Sequence, residues 1–277
     1  MQFGTVVDAT GRTMAAVREA GRWRALPALD LSELLRTGTS TLREAAEHAG
    51  DTLLDATTVL PLPRPGKVIC CGLNYAEHIR ETGRDLPAHP TLFAKYADSL
   101  IGPDDEIALP LGLEVDWEAE LAVVVGATIR GADAETAQAA IAGYTVANDI
   151  SVRNWQNRTL QWFQGKAWDR STPLGPVIVT PDEVDPKAGL PIDCRINGEV
   201  VQHDSTSTLV FDAPALLSYI SAFTVLRPGD VVLTGTPGGV GLARTPPRFL
   251  TDGDVVETEI GGIGLLRNMI RVTDSPG

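Results

Sequence analysis

The sequence predicts a β-rich α+β fold, and three observations support this prediction. Short apolar runs bounded by turn residues recur along the 277-residue chain, long helical patterns are rare, and 27 glycines supply the turns. Strands and helices do not alternate regularly, which argues against a wound βαβ sheet. At this length we expect one large domain, or one large domain with a small appendage.

The first predicted unit is a small N-terminal α/β extension over residues 1–62. Apolar runs predict strands at residues 3–7 and 13–17, and the spacing of leucine and alanine predicts helices at 30–35 and 41–54. Three alternate prolines, Pro61, Pro63 and Pro65, interrupt regular structure and mark a linker. The main domain is therefore expected to cover residues 63–277.

The main domain is predicted to consist of many short strands and a few helices. The predicted strands are residues 67–71, 114–125, 144–147, 231–234 and 255–260, and the predicted helices are 74–82, 134–142 and 209–222. A proline-rich stretch at 86–90 leads into residues 91–96. Residues 193–201 form a predicted hairpin, because Asn197-Gly198 is a typical two-residue turn.

Composition excludes several classes of protein. The net charge of −13 argues against a nucleic-acid-binding protein, which would normally carry a basic patch. No apolar run approaches the roughly 20 residues of a membrane helix, and the N-terminus lacks the features of a signal peptide. Adjacent Cys70 and Cys71 lack the spacing of a zinc site and are expected to pack in the core. We expect a soluble, cytoplasmic protein without membrane or nucleic-acid partners.

The acidic segment at residues 114–120 is the strongest candidate for chemistry. On an extended strand, Glu114, Asp116, Glu118 and Glu120 would point to the same face, and the apolar run 121–125 follows directly. A hard divalent cation would stabilise such a face, because it binds oxygen ligands. A solvated edge strand with an acidic face is the alternative. Spacing alone leaves both open.

Other candidate groups are weaker when taken singly. His78 and Glu81 share one face of the predicted helix and form either a general base with its partner or a surface ion pair. Asp149 ends an apolar strand, as a third ligand or as a turn residue. Lys166 lies among aromatic residues and either binds an anion or reaches solvent. The glycine-rich loop 234–241 either receives an anion or is a tight turn, and it is not a P-loop.

The order of these motifs along the chain is more specific than any one of them. The series is Gly72-Leu73-Asn74-Tyr75 with His78 and Glu81, Phe93-Ala94-Lys95 with Ser99 and Gly102-Pro103, Glu118-Ala119-Glu120, Asn148-Asp149, Gly165-Lys166, and Thr234-Gly235-Thr236-Pro237 with Gly241. Over residues 65–270 this series resembles the fumarylacetoacetate hydrolase superfamily. The extension resembles the variable N-terminal segment that many members carry.

The resemblance implies a mixed β-sheet roll, a homodimer, and an Mg²⁺ or Mn²⁺ cofactor, with Ca²⁺ as a third choice. It implies Glu118, Glu120 and Asp149 as the metal ligands, and leaves Glu114 and Asp116 as acidic residues on the entry side.

The same resemblance implies roles for the other motif residues. The catalytic residues would be His78 and Glu81, as a general-base dyad on a mobile lid helix, with Lys166 beside the substrate's enolate or carboxylate. The implied substrate-binding residues are Lys95, Gln156, Gly235 and Thr236. One departure is Asn154, where the family often has an aspartate, and this puts the pocket chemistry near the ligand strand in doubt.

The activity that the resemblance implies is hydrolysis of an acylpyruvate, a small-molecule keto acid such as fumarylpyruvate, in aromatic-compound catabolism. The dyad would activate a water that attacks the 4-carbonyl, and cleavage of the C3–C4 bond would release pyruvate and a carboxylic acid. The first alternative is oxaloacetate decarboxylation or keto–enol isomerisation at the same site, without an attacking water. The second is a metal-binding protein that retains the fold without turnover.

Overall fold

The computed structural model describes residues 1–37, 41–76, 79 and 85–274 and has a β-rich α+β architecture with mixed sheets. The strands of the described residues are β1 (Gln2–Val7), β2 (Thr13–Glu19), β3 (Arg22–Ala25), β4 (Thr52–Leu53), β5 (Thr57–Thr58), β6 (Val68–Gly72), β7 (Thr91–Lys95), β8 (Leu100–Ile101), β9 (Ile107–Pro110), β10 (Val115–Asp116), β11 (Ala119–Val125), β12 (Ile141–Asn148), β13 (Ser151–Val152), β14 (Thr172–Val179), β15 (Pro191–Ile196), β16 (Glu199–Ser205), β17 (Val231–Leu233), β18 (Val255–Ile260) and β19 (Gly264–Thr273).

Helices are short and few in the described part of the chain. The α-helices are α1 (Leu31–Thr37), α2 (Leu42–Glu47), α3 (Ala134–Ala139), α4 (Arg153–Gln156), α5 (Phe163–Lys166) and α6 (Ala213–Phe223). Three 3₁₀ turns cover Ala97–Ser99, Thr206–Thr208 and Gly241–Ala243. Within these residues, no helix has the length and apolar character needed to cross a bilayer.

The strands form one large sheet, one five-stranded sheet and a two-stranded ladder. The large sheet has the order β4-β3-β2-β1-β14-β12-β11-β17-β6-β7, with β5 on β1 and β8 on β14. The smaller sheet has the order β16-β15-β18-β19-β9, and β10 pairs with β13. Most pairs are antiparallel, whereas β6 with β17, β8 with β14 and β9 with β19 are parallel.

Strand β11 lies at the centre of the core because both of its faces are buried. Leu121 and Val123 belong to the apolar cluster shared with the smaller sheet, while Ala122 and Val124 belong to the cluster that includes the N-terminal helices. Alternate residues of a strand point to opposite faces, so one strand serves two cores. This explains the continuous apolar run in the sequence.

The N-terminal extension joins the large sheet directly. Strand β1 pairs antiparallel with β14, with Gln2 opposite Val179 and Phe3 opposite Ile178. Phe3 and Ile178 are both fully buried in one apolar cluster. The domain boundary between residues 62 and 63 stays a prediction. Backbone hydrogen bonds between β1 and β14 join the two sides of that boundary.

Several predicted elements differ in length from the observed ones. The helix predicted at 41–54 ends at Glu47, and β4 follows within that range. The helix predicted at 134–142 stops at Ala139, because β12 starts at Ile141. The helix predicted at 209–222 begins only at Ala213, where Asp212 caps it. The helix predicted at 74–82 lies mostly outside the described residues.

The predicted hairpin at 193–201 is confirmed by β15 and β16. Asn197 and Gly198 both have positive φ angles, 52° and 83°, which the two-residue turn requires. The strand predicted at 114–125, in contrast, is interrupted at Trp117 and Glu118. There the backbone N–H groups bond to side chains: Trp117 donates to Asp116 Oδ1 and Glu118 donates to Asn148 Oδ1.

Candidate metal centre and active-site cavity

The predicted metal ligands lie together at one end of the paired central strands β11 and β12. β11 starts there and antiparallel β12 ends there, with Ala119 opposite Asn148. Glu118 and Asp149 flank that pair, and the Asp149 N–H donates to the Glu118 carbonyl oxygen at 2.8 Å. Glu120 is the second residue of β11, two positions after Glu118. The strand pairing itself therefore brings the three carboxylates together.

The carboxylates of Glu118, Glu120 and Asp149 form a buried cluster. One oxygen from each lies within 4.8 Å of the other two, and all three side chains are buried. Magnesium, manganese and calcium prefer such all-oxygen ligand sets. The geometry therefore fits the predicted centre, and these three residues could hold a divalent metal ion.

Glu120 shows most directly why a cation suits this cluster. Burial, followed by the nearby Asp149 and Glu118 carboxylates, raises the pKa of Glu120 well above its usual value. Lys166 and the Gly235 N–H act in the opposite direction, and that N–H donates to Glu120 Oε2 at 2.7 Å. A bound divalent ion would favour the charged carboxylate.

Gly235 contacts the predicted metal ligand Glu120 and is not among the described residues that line the cavity. Its φ is 102°, and an added Cβ would lie 2.9 Å from both the Cys71 carbonyl oxygen and Asn74 Cβ. Only glycine fits there. Strands β6 and β17 are parallel, so the loops that follow them, at 73–74 and 234–236, lie side by side at the end of the sheet that carries the carboxylates. The predicted substrate contact of Gly235 stays a prediction, while its observed bond orients Glu120.

Two buried lysines neutralise part of the carboxylate charge. Lys166 Nζ donates to Glu118 Oε2 at 2.7 Å and to Asp149 Oδ2 at 2.8 Å. Burial acts to lower the pKa of Lys166, but Asp149 and Glu118 outweigh it and leave that pKa raised. Lys95 Nζ donates to Asp149 Oδ1 at 2.6 Å and to the Ile150 carbonyl oxygen at 3.3 Å.

The two lysines differ in access to the cavity. Lys166 belongs to the lining, whereas Lys95 has a fully buried side chain and lies outside the described lining. The substrate-binding role predicted for Lys95 stays a prediction, and in this structure its donors orient Asp149.

Arg153 links the cluster to the rest of the site. Its Nη2 lies 2.7 Å from Glu118 Oε1, its Nε donates to Asp116 Oδ2 at 2.8 Å, and its Nη1 donates to Gln156 Oε1 at 2.8 Å. Burial acts to lower the pKa of Arg153, but the Glu118 and Asp116 carboxylates raise it above its usual value. Arg153 was not singled out from the sequence, although its i, i+3 spacing from Gln156 is a signal that could have predicted this pair.

The interpretation of Asp116 as an entry-side acidic residue was wrong. Asp116 is fully buried and accepts hydrogen bonds from Arg153 Nε, from its neighbour Trp117 N–H, and from the N–H groups of Gly241 and Leu242 at 2.7 and 2.9 Å. The strand break turns it away from solvent. Glu114 is exposed, in agreement with its interpretation as an acidic surface residue.

Asn154 lies against a turn before the acidic segment. Its Nδ2 donates to the Gly112 carbonyl oxygen at 3.0 Å, and its Oδ1 accepts from the Glu114 N–H at 3.3 Å. It is not part of the cavity lining formed by the described residues. The departure from the family pattern therefore affects this turn and leaves the ligand cluster intact.

Thr236 lies in the cavity wall, supported by a glutamine that the sequence did not single out. Gln202 Nε2 donates to Thr236 Oγ1 at 2.8 Å, and Gln202 Oε1 accepts from the Ala119 N–H at 3.0 Å. Because Thr236 Oγ1 accepts that bond, its own O–H proton points elsewhere. The glycine-rich loop therefore places beside the cavity a hydroxyl that can still donate its proton.

The cluster borders a cavity of about 340 Å³. Its polar lining consists of Glu118, Arg153, Gln156, Asn157, Lys166 and Thr236. Its apolar and small lining residues are Cys71, Gly72, Leu73, Trp162, Val240, Leu242 and Ala243. A volume at the lower end of the range for small-molecule sites suits a compact ligand. Burial and the Glu120 charge raise the pKa of the Cys71 thiol to about 12, so it is an inert part of the wall.

The predicted catalytic dyad, His78 and Glu81, lies outside the described residues. The chain is described up to Ala76 and again at Ile79, which is buried. The dyad stays a prediction from the sequence.

Comparison with known proteins identifies relatives over most of the chain. Residues 67–271 match the family described as fumarylacetoacetate (FAA) hydrolase C-terminal. A human protein named oxaloacetate tautomerase FAHD2A, mitochondrial, is 44% identical over 248 residues, which cover 87% of this chain and 79% of that protein.

Two solved structures have the same fold over nearly the whole chain. A fumarylacetoacetate hydrolase from Exiguobacterium antarcticum is 35% identical with a TM-score of 0.87. A 5-carboxymethyl-2-hydroxymuconate delta-isomerase from Mycobacterium smegmatis is 32% identical with a TM-score of 0.81. Both alignments cover 99% of this chain and 100% of the other.

Proposed function

The chain belongs to the fumarylacetoacetate hydrolase family, and from that premise we propose that it is a metal-dependent oxaloacetate tautomerase. The observation that carries the proposal is the intact Glu118, Glu120 and Asp149 cluster beside a small cavity, in a chain 44% identical to a protein named for this activity. This favours the oxaloacetate alternative over the acylpyruvate hydrolysis that the sequence put first.

Tautomerisation interconverts the keto and enol forms of oxaloacetate without net change in composition. A proton leaves C3, the electron pair of that C–H bond forms the C2–C3 double bond while the π bond between C2 and its oxygen breaks, and the oxygen that receives this π pair takes up a proton. A divalent ion held by the three carboxylates would polarise that ketone and favour removal of the C3 proton.

The chain's own residues bind the two carboxylates of this substrate and balance the charge that develops. The Lys166 ammonium in the cavity wall stabilises negative charge on the 2-oxygen. The Thr236 hydroxyl, whose oxygen already accepts from Gln202, donates to a carboxylate. Gln156 and Asn157 add polar contacts for the second carboxylate.

The direct test follows the ultraviolet absorbance of enol-oxaloacetate as it relaxes to the keto form. We expect acceleration by the protein with Mg²⁺ or Mn²⁺, and loss of that acceleration with a chelator. The Glu118→Ala and Glu120→Ala double variant is the matched control. No acceleration at any metal concentration would exclude the tautomerase.

Acylpyruvate hydrolysis is the second candidate, supported by the Exiguobacterium antarcticum relative named as a hydrolase. In that reaction water adds to the 4-carbonyl, the C3–C4 bond breaks, and pyruvate and a carboxylic acid form. Incubation with fumarylpyruvate, acetylpyruvate and oxaloacetate separates the candidates. Pyruvate from the first two indicates hydrolysis, and CO₂ from oxaloacetate indicates decarboxylation. Metal binding without turnover would indicate a binding protein.

The homodimer and the cytoplasmic location remain predictions. Light scattering on the purified chain measures the oligomeric state. The human relative is named as mitochondrial, so the compartment is best assigned by localising this protein in its own cells.

A further inference from the structure

Trp162 is the largest apolar side chain in the cavity wall. It lies between α4 and α5, and its carbonyl oxygen accepts from the Gly165 N–H at 2.8 Å. Gly165 in turn packs so closely on Gln156 that a Cβ there would overlap it. The two short helices therefore hold the tryptophan backbone in a fixed place.

The indole ring of Trp162 packs directly against Gly72, which has no side chain to occupy the same space. A Cβ added at Gly72 would overlap Cζ3 of Trp162 and lie 3.1 Å from Cη2. Gly72 has no positive φ angle, so its backbone does not require glycine. Its missing side chain instead gives the ring its position at the end of β6.

A second aromatic ring fixes the indole from the side. Phe93 on β7 contacts Trp162 edge to face, with ring centroids 5.6 Å apart. The Lys166 ammonium lies 5.1 Å from the centroid of the same Phe93 ring. Trp162 is thus part of a packed group that extends to the charged end of the cavity, and it acts as a rigid wall.

The cavity lining contains both charged and apolar side chains. Glu118, Arg153 and Lys166 carry the charge, whereas Trp162, together with Leu73 and the turn that carries Leu242, is apolar. Both carboxylates of a four-carbon keto diacid need polar contacts. A longer chain needs space beyond those contacts, and the Trp162 indole occupies part of the wall of a cavity of only about 340 Å³.

We propose that Trp162 limits the length of the substrate and so selects short 2-keto diacids over longer ones. This inference rests on the proposed function only in taking 2-keto diacids as the substrate class. The geometric claim, that the indole blocks a longer chain, can be tested by binding alone.

The experiment measures dissociation constants of oxalate, 2-oxoglutarate and 2-oxoadipate by isothermal titration calorimetry with Mg²⁺ present. In the wild-type protein we expect 2-oxoadipate to bind much more weakly than oxalate. In Trp162→Ala, the ratio of the 2-oxoadipate constant to the oxalate constant should fall by roughly 10- to 100-fold, the usual scale for the accommodation of one methylene group in an apolar pocket. Trp162→Phe should give an intermediate ratio.

The control is Phe163→Ala, which removes the adjacent, 40% exposed aromatic ring outside the described lining. It should leave the ratio unchanged. An unchanged ratio in a Trp162→Ala protein that still binds oxalate would overturn the inference, and if that variant fails to fold, the same ratio in Trp162→Phe decides. Absence of oxaloacetate turnover by the wild-type protein, with the expected ratios, would overturn only the proposed function.

Discussion

Asp116 and Glu120 are buried carboxylates four residues apart on one acidic segment, and the structure treats them in opposite ways. Asp116 accepts bonds from the Arg153 guanidinium and from three backbone N–H groups. Glu120 accepts from the Gly235 N–H and has two further carboxylates, Asp149 and Glu118, beside it. Burial alone therefore does not identify a metal ligand. Asp116, whose two oxygens are both taken by fixed donors, holds the fold, whereas Glu120, with one backbone donor and two carboxylates beside it, has capacity left for an ion.

The largest effect should come from removing two of the clustered carboxylates. Glu118→Ala with Glu120→Ala should abolish measurable Mg²⁺ or Mn²⁺ binding, because a loss of ligands exceeds the roughly 10- to 100-fold typical of outer-shell partners. Calorimetric titration with the metal is the measurement. If the double variant kept its affinity for the metal, the distinction between metal-binding and purely structural buried carboxylates would not hold.

Asp116→Asn tests the other side of the comparison. The amide cannot balance the Arg153 charge, so we expect the free energy of unfolding to fall by about 3 kcal/mol, the lower end for a broken buried ion pair. Urea denaturation measures this loss. Metal affinity in the folded variant should change less than in the double variant, and a larger loss of metal affinity would make Asp116 part of the metal centre.

Lys95→Met should have a smaller effect on stability, and bound metal should offset part of it. Without metal, Asp149 loses a buried donor, and the free energy of unfolding should fall by about 1–3 kcal/mol. With metal, the ion supplies the missing charge, so the rise in Tm on adding Mg²⁺ should exceed that of the wild type. An equal rise would indicate that Lys95 and the ion do not share Asp149.

Glu114→Gln should have the smallest effect. The side chain is exposed, and surface substitutions of this kind usually change stability by less than about 0.5 kcal/mol. Both Tm and metal affinity should match the wild type. A clear loss of metal affinity would extend the cluster to the start of the acidic segment.

The sequence predicted the parts of the site that depend on strand alternation. Glu118 and Glu120 are two residues apart where β11 begins, and Asp149 directly follows β12, so the pairing of these two strands brings the three residues together. The family resemblance, and not the spacing alone, selected these three from the other acidic residues.

The burial of Asp116 and its hydrogen-bond donors could not be predicted from the sequence. Its donors come from Arg153, 37 residues away, and from Gly241 and Leu242, about 125 residues away. Gln202 and Trp162 were missed for the same reason, since their partners Thr236 and Gly72 are distant along the chain. Helix ends were also misplaced, because tertiary pairing decided where strands β4 and β12 begin.

The pairing of β1 with β14 has a practical consequence for protein production. A fragment starting at residue 63 would lack β1, and the backbone groups of β14 that bond to Gln2 and Phe3 would be exposed. An uncovered strand edge flanked by apolar side chains is a template for intermolecular association. Such a fragment should therefore be recovered as aggregates, and expression of the separate family domain would require a replacement strand.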